Sequence, residues 1–362
     1  MLHENRDIRK VILATGGSGG HIFPAVAVFE TLTKKGYKVS IISDDAYEKY
    51  VSLNYNYDII PAGKSLKNIT SIKNIFFGVL GAIKILKQKT PDLVVGFGCY
   101  ATLPTLLACI LTKTPFILHE QNVCVGKVNN FFSRYALKVM TSYPEIYGIK
   151  YRNADKIVYT GYPVRDDLLN KQTDYILRDD IFVISIIGGS LGAKFFSNGF
   201  CKIFDKQILK QKNIFVYHQV QEEYIRETKI HYQSIGLNAE VSPFFPNMSE
   251  ILSKTHLMIS RSGNGILAEI SIYGIPAILI PLSTSANDHQ LKNAKLYQKD
   301  GATIVVEEKD FQVESFQKLL FGLIGSREKL EQMSRQLKKQ IKMDANNNIF
   351  DIIDKTIDDF KR

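Results

Sequence analysis

Residues 14–25, ATGGSGGHIFPA, set four glycines, a serine and a histidine directly behind the apolar run Val11-Ile12-Leu13 and ahead of an apolar pattern at helical spacing. A strand that ends in glycines and feeds a helix offers backbone N–H groups and the positive end of a helix dipole, which together favour phosphate or another anion. His21 follows the loop at the helix start, where an imidazole of near-neutral pKa suits a general base; the alternative is a histidine that caps or packs the loop. Counted from Gly17, the third glycine of a dinucleotide fingerprint is replaced by Ile22, which weakens a NAD reading.

Three further stretches carry chemistry. In SRSGNGILAE, residues 260–269, Ser262 and Gly263 precede an apolar helical pattern with Glu269 about one and a half turns in. This is a second candidate anion site, with a carboxylate able to accept hydrogen bonds from ribose hydroxyls or simply to stand in solvent on the helix. DHQLKNA, residues 288–294, groups side chains that hydrogen-bond sugar hydroxyls, with helix capping by Asp288 as the competing role. HEQN, residues 119–122, follows the buried-type run 115–118 and so sits at a strand end, where ligands of α/β sheets collect.

The elements that must position these residues repeat one grammar. Residues 8–15 read as a strand, 16–20 as a glycine loop and 22–32 as a helix; further strands are predicted at 37–43 and at 93–95 before GFGCY. Such alternation implies a parallel sheet covered on both faces. About 170 residues later IFVISIIGGSLGAKFF starts the pattern again, with a glycine loop at 188–192 and a helical pattern from Ala193. Strands are predicted at 214–218, 257–260 and 277–281, and YTGYPVRDD, residues 159–167, has the punctuation of a linker. The expected architecture is α/β, two Rossmann-like domains in series with a cleft between them. Their expected spans are 1–165 and 166–342, with a charged, helix-prone terminus at 343–362 crossing back to the first.

The chain has 362 residues, 45% of them hydrophobic, enough to bury a core in each of two domains. Its formal net charge of +10 is uneven: 21 Lys+Arg face 11 Asp+Glu through Arg165, and 25 face 25 beyond it. That asymmetry suggests nucleic acid or an anionic membrane leaflet as partner for the first half, or no more than a soluble basic face. Four cysteines without CxxC spacing argue against a disulfide scaffold or a zinc site and fit a reducing cytoplasm. The first ten residues lack the apolar stretch of a signal peptide. Residues 93–112 are uncharged and about as long as a membrane span, yet Gly96, Gly98 and Pro104 make them read as buried strand, loop and helix. Along residues 72–89, Ile72, Phe76, Val79, Ile83 and Leu86 form one stripe, expected against the sheet; Lys73, Phe77, Leu80, Lys84 and Lys87 form the adjacent one, apolar in the middle and basic at its ends. A helix lying on an anionic leaflet has that form, as does a core helix with solvated lysines.

Taken together, GGSGGH, HEQN, GYPVR, GGSLGA, RSG followed by AE, and DHQ followed by NA resemble the MurG family of peptidoglycan N-acetylglucosaminyltransferases, in order over almost the whole chain. The resemblance implies the GT-B fold and an inverting transfer of N-acetylglucosamine from UDP-N-acetylglucosamine to the muramyl 4-hydroxyl of lipid I, giving lipid II. The donor would lie on the C-terminal domain and the lipid-linked acceptor on the N-terminal domain, at the cytoplasmic face of the bacterial membrane, with the protein bound peripherally. By motif, Ser18, Gly19 and Gly20 would lie by the donor sugar and acceptor diphosphate, with His21 as base and Glu120 as its rival. Asn122 would touch the donor sugar, and Arg165 and Ser190 would help bind the donor. Phe245 would meet the uracil through its backbone, Glu269 would hold the ribose and Gln290 the sugar hydroxyls. Asn264, Gly265, Ile266, Leu267 and Ala268 would supply the helix start facing the diphosphate.

The chain departs from the family pattern at Ser18, where threonine is common, at Cys99 to Pro104, where GGY-SGP is common, and at Tyr162, where asparagine is. Without an Asp-x-Asp motif, backbone amides rather than a metal are expected to stabilise the leaving diphosphate, and no cofactor is expected. Another nucleotide-sugar enzyme, such as a UDP-N-acetylglucosamine 2-epimerase, would share the fold. A nucleic-acid binder would leave both glycine loops unexplained, and no recognisable nucleic-acid module is evident, so nucleic acid is not expected as a partner.

Overall fold

The computed structural model describes residues 8–50, 55–63, 68–149, 155–171, 173–177, 180–189, 192–206, 213–285 and 288–361. They form two compact units, Met1–Asp166 with Lys342–Arg362, and Asp167–Ile341.

The first unit holds a seven-stranded parallel sheet: β1 (Lys10–Ala14), β2 (Lys38–Ser43), β3 (Tyr57–Ile59), β4 (Leu93–Gly96), β5 (Phe116–Glu120), β6 (Val139–Thr141) and β7 (Ile157–Tyr159). Their order is β3-β2-β1-β4-β5-β6-β7. Val11 pairs with Val39 of β2 on one side and with Leu93 of β4 on the other, so the order reverses at β1. The carboxyl ends of β1 and β4 therefore flank the crevice in which open α/β sheets bind ligands. Near-continuous apolar strands are required because both faces are covered. On one face, Ile22, Val26, Val28 and Leu32 of α1 (Gly19–Lys34) pack with Ile349, Ile353 and Ile357 of the helix Ala345–Lys361. Arg9 ties that last helix down through Asp354 and Asp358.

The other face carries α2 (Ile69–Lys89) and α3 (Leu103–Thr112). Residues 93–112 thus divide into strand, loop and buried helix. The orientation of α2 differs from expectation. Of the expected inward stripe only Leu86 is fully buried, while Ile72 is 48% and Phe76 60% exposed. The buried positions are Gly78, Ala82 and Leu86. A Cβ on Gly78 would stand 2.1 Å from the Pro61 carbonyl oxygen and 3.0 Å from Pro104 Cβ. The helix approaches its neighbours backbone-first through its small residues, and that close approach turns the bulky apolar side chains outward. By length and composition α2 could also cross a membrane. Here Ala82 and Leu86 lie in the core with Ile12, Ile42 and Val94, so the helix lies flat along the sheet.

The second unit holds a six-stranded parallel sheet: β8 (Phe182–Ile187), β9 (Ile214–Gln219), β10 (Asn238–Ser242), β11 (Leu257–Ser260), β12 (Ala277–Leu279) and β13 (Thr303–Val305). Its order, β10-β9-β8-β11-β12-β13, reverses at β8. The helix expected from Ala193 is only Lys194–Ser197, followed by Gly199 at φ +70 and a 3-10 turn, Phe200–Ile203. Phe195, Phe196 and Phe200 pack on one another, and Phe200 stacks on Phe311. Aromatic packing, with a glycine free to turn left-handed, overrides helix propagation there.

Candidate active site

At the end of β1 the chain turns through Gly16 (φ +145) and Gly17 (φ +73) before α1 begins at Gly19. A Cβ on Gly16 would lie 2.6 Å from both Ala101 Cβ and Asp44 Oδ1, so the protein's own packing already demands this glycine. The buried Asp44 accepts from Gly17 N–H at 3.0 Å through one oxygen and from the Tyr100 hydroxyl at 3.0 Å through the other. The loop is therefore less open than its glycines suggest, since two of its amides are already spent, Gly17 on Asp44 and Ser18 on the Gly16 carbonyl. Ser18 caps the helix with extended backbone and makes no side-chain cap bond; Gly19 and Gly20 begin the first turn, and the N–H groups of His21 and Ile22 already donate to the Ser18 carbonyl.

His21 is half-buried. Its Nδ1 lies 2.9 Å from the Phe97 carbonyl oxygen and 3.0 Å from Gln121 Oε1. The HEQN segment supplies that contact at the end of β5. Gln121 Nε2 is 3.1 Å from both Nδ1 and the carbonyl oxygen of His119, and His119 Nε2 is 3.3 Å from the Gly161 carbonyl oxygen. The altered loop packs against the same place: Cys99, at φ +64, donates its thiol to the Gly16 carbonyl, and burial raises that thiol to about 12, keeping it neutral.

Glu120, the rival base, is enclosed by its own loop. It is 1% exposed, and its two oxygens accept from four donors: Asn122 N–H (3.0 Å) and Asn122 Nδ2 (3.3 Å) on one, Gly126 N–H (3.0 Å) and Asn129 Nδ2 (2.9 Å) on the other. A carboxylate so placed is a loop clamp without a lone pair to spare for a substrate proton. Asn122 is accordingly held by Glu120. Arg165 lies over the Phe23 ring of α1, 4.7 Å from its centroid.

In the second unit the loops after β8 and β11 occupy the ends of the strands that flank its reversal point. Gly188 N–H donates to Gln219 Oε1 at 3.0 Å, and Gln219 Nε2 donates to the Pro243 carbonyl at 3.1 Å, tying the glycine loop to the segment that carries Phe245. Phe245 is buried with its ring edge-on to Tyr217, which leaves only its backbone to meet a base. Ser190 lies outside the described residues. The helix Asn264–Tyr273 starts after Gly263 in extended conformation, so Asn264, Gly265 and Ile266 provide the first-turn amides. Leu267 and Ala268 do not face a ligand with their side chains: both are buried, and Leu267 N–H is spent on the Gly263 carbonyl. Glu269 is half-buried on the same helix. Gln290 Oε1 accepts from Leu282 N–H and its backbone carbonyl accepts from the Ser262 hydroxyl, linking DHQLKNA to the loop after β11. Asp288 adopts φ +53 and makes no side-chain cap.

Asp44 and Gln219 were not assigned from the sequence, and Gln121 only as part of the HEQN stretch. Each sits at or just beyond the carboxyl end of a strand, which is the one signal that could have marked them.

Burial lowers His119 and His218 to about 4, well below the free histidine value of about 6.5. Between those values the unfolded chain binds more protons than the folded one, so stability rises with pH. The penalty is absent above about pH 6.5 and grows as pH falls toward 4, to on the order of 3 kcal/mol per histidine. Urea midpoints measured from pH 7.5 to 4.5 should fall below pH 6.5, and His218→Asn should flatten the dependence. A midpoint constant over that range would refute the neutral buried state.

Residues 11–141 match the glycosyltransferase family 28 N-terminal domain and residues 183–349 the glycosyltransferase family 28 C-terminal domain. The chain is 34% identical over 361 residues to a protein of Rickettsia felis, covering 97% of this chain and 100% of that one. It is 36% identical over 336 residues to one of Wolbachia sp. subsp. Drosophila simulans, covering 91% and 94%. Both relatives are named UDP-N-acetylglucosamine–N-acetylmuramyl-(pentapeptide) pyrophosphoryl-undecaprenol N-acetylglucosamine transferase. Among solved structures, Acinetobacter baumannii MurG aligns with a TM-score of 0.76 at 27% identity over 96% of this chain and 99% of that one. A UDP-GlcNAc 2-epimerase from Neisseria meningitidis aligns with 0.67 at 17% identity over 96% and 100%, a likeness of fold alone.

Proposed function

This chain belongs to glycosyltransferase family 28, in its MurG branch, and we infer that it moves N-acetylglucosamine from UDP-N-acetylglucosamine to the muramyl 4-hydroxyl of lipid I, forming lipid II. The acceptor oxygen attacks C1 of the donor sugar from the face opposite the leaving group. The C1–O bond breaks with its electron pair going to UDP, and the acceptor proton passes to His21. The observation that carries this role is the arrangement of His21 itself: half-exposed at the end of β1, with Nδ1 engaged by two oxygens and Nε2 the nitrogen left for a proton.

Donor binding falls to the second unit. The amides of Asn264, Gly265 and Ile266 and the positive end of their helix favour the diphosphate, and the loop at 188–192 adds to them. Glu269 holds the ribose, the Phe245 backbone the uracil, and the Gln290 amide group a sugar hydroxyl. Ser18, Gly19, Gly20 and Asn122 meet the transferred sugar and the acceptor diphosphate, and Arg165 assists the donor. Incubation with labelled UDP-N-acetylglucosamine and a lipid I analogue tests the reaction: a labelled disaccharide product is expected. UDP release without that disaccharide would favour a hydrolase or an epimerase and overturn the assignment.

The acceptor is a lipid, and the outer face of α2 suits a membrane surface. Phe77 is 59% exposed beside the exposed Phe76, with Ile69, Ile72 and Leu80 also exposed and Lys73, Lys84 and Lys87 around them. Apolar side chains entering the interface and lysines worth about 1 kcal/mol each near an anionic leaflet would hold the protein peripherally on the cytoplasmic face. In vesicle co-sedimentation, Phe76→Asp with Phe77→Asp should abolish binding, and Lys73, Lys84 and Lys87→Ala should remove its dependence on anionic lipid. Binding indifferent to both changes would contradict this surface.

A further inference from the structure

The hydrogen-bond chain behind His21 has a direction that the atoms themselves dictate. At its far end His119 Nε2 faces the Gly161 carbonyl oxygen, which can only accept, so Nε2 carries the proton. The ring is fully buried and neutral, which leaves Nδ1 as an acceptor. Gln121 must therefore turn its NH₂ toward His119, where that group also meets the His119 carbonyl. With the amide reversed, its oxygen would face two acceptors. The carboxamide oxygen then points at His21 Nδ1, where the Phe97 carbonyl is a second acceptor. Two acceptors at one ring nitrogen require N–H there.

We propose that His119 and Gln121 are positioning residues that hold His21 as the Nδ1–H tautomer, so that the bare Nε2 lone pair is the one offered to the acceptor hydroxyl. The same two oxygens stabilise the imidazolium once the proton has arrived, as acceptors at N–H strengthen when the ring becomes charged. Nearest the loop stand the titratable groups Asp44, held by Gly17 and Tyr100, Glu120, held by its four donors, and the neutral Cys99 and Tyr100, with Asp45 beside Asp44 and with Glu30 and Lys34 farther along α1. The proposal rests on the reading of His21 as base, but its first test does not.

That test is ¹⁵N NMR of the ¹⁵N-histidine-labelled full chain, with His21 assigned by its loss in His21→Ala. At neutral pH, His21 should show a protonated Nδ1 and a pyridine-like Nε2, the reverse of the tautomer that free imidazole side chains prefer. A protonated Nε2 in the neutral ring would overturn the proposal. The second test is the pH profile of kcat in two variants of opposite sign. Gln121→Leu removes one acceptor at the imidazolium and should lower kcat roughly 10- to 100-fold, with its acid limb moved to lower pH and the KM for UDP-N-acetylglucosamine unchanged. Gln121→Glu keeps an acceptor and adds charge, and should move the acid limb to higher pH. Limbs that stay in place in both folded variants would also overturn it. Full turnover in His21→Ala would sink the base reading alone and leave the tautomer signal as it was.

Discussion

His21→Ala is expected to lower kcat by about 10²- to 10⁴-fold while leaving the affinity for UDP-N-acetylglucosamine unchanged. The size follows from losing general-base help in a single displacement: the acceptor hydroxyl must then shed its proton to water as it attacks. Donor affinity should hold because the amides proposed to grip the diphosphate belong to the second unit, and His21 belongs to the first. A loss of stability of about 1–3 kcal/mol is expected, since the ring's Nδ1–H serves the buried Gln121 amide oxygen and the Phe97 carbonyl, but the fold should persist because the loop is fastened independently by Thr15, which donates its hydroxyl to the His21 carbonyl, and by Asp44 on Gly17. Isothermal titration with the donor and steady-state disaccharide formation separate the two effects. Near-normal turnover with intact donor binding would remove His21 from the chemistry.

The second large effect is of another kind. Glu120→Ala leaves four donors around a buried site without their acceptor, among them two backbone amides, and should destabilise the protein by about 3–5 kcal/mol. Glu120→Gln restores one acceptor but turns an NH₂ toward the remaining donors, so a smaller loss of about 1–3 kcal/mol is expected. Turnover by the folded Gln variant should remain measurable. A rival base would behave in the opposite way, with normal unfolding midpoints in both variants and turnover lost in both. Urea unfolding monitored alongside activity discriminates the two.

The contrast between these residues marks what a linear reading could reach. The strand, glycine loop and helix around His21 are local features, written in the run from Val11 to Leu32, and both crevice-flanking loops follow from the same grammar. The role of Glu120 was not legible, because the donors on its second oxygen, Gly126 N–H and Asn129 Nδ2, are brought to it only by the way residues 122–129 fold back over it. Gln121 lies 100 residues from the ring it contacts, and Asp44 lies 27 from the amide it occupies. No spacing rule links such pairs. The rotation of α2 was missed for a related reason: periodicity counts bulk, whereas Gly78 seats the helix against Pro61 and Pro104 by having none. The short helix after the second glycine loop failed expectation where a cluster of phenylalanines packs better than a continuing helix would allow.

The most direct measurement is the structure of the protein with UDP-N-acetylglucosamine bound. The diphosphate is expected on the amides of Asn264, Gly265 and Ile266, the ribose on Glu269, and His21 still half-exposed with its Nε2 open to the acceptor. A nucleotide seated on the Gly16 to Gly20 loop, or a His21 ring turned inward and closed off, would contradict this arrangement.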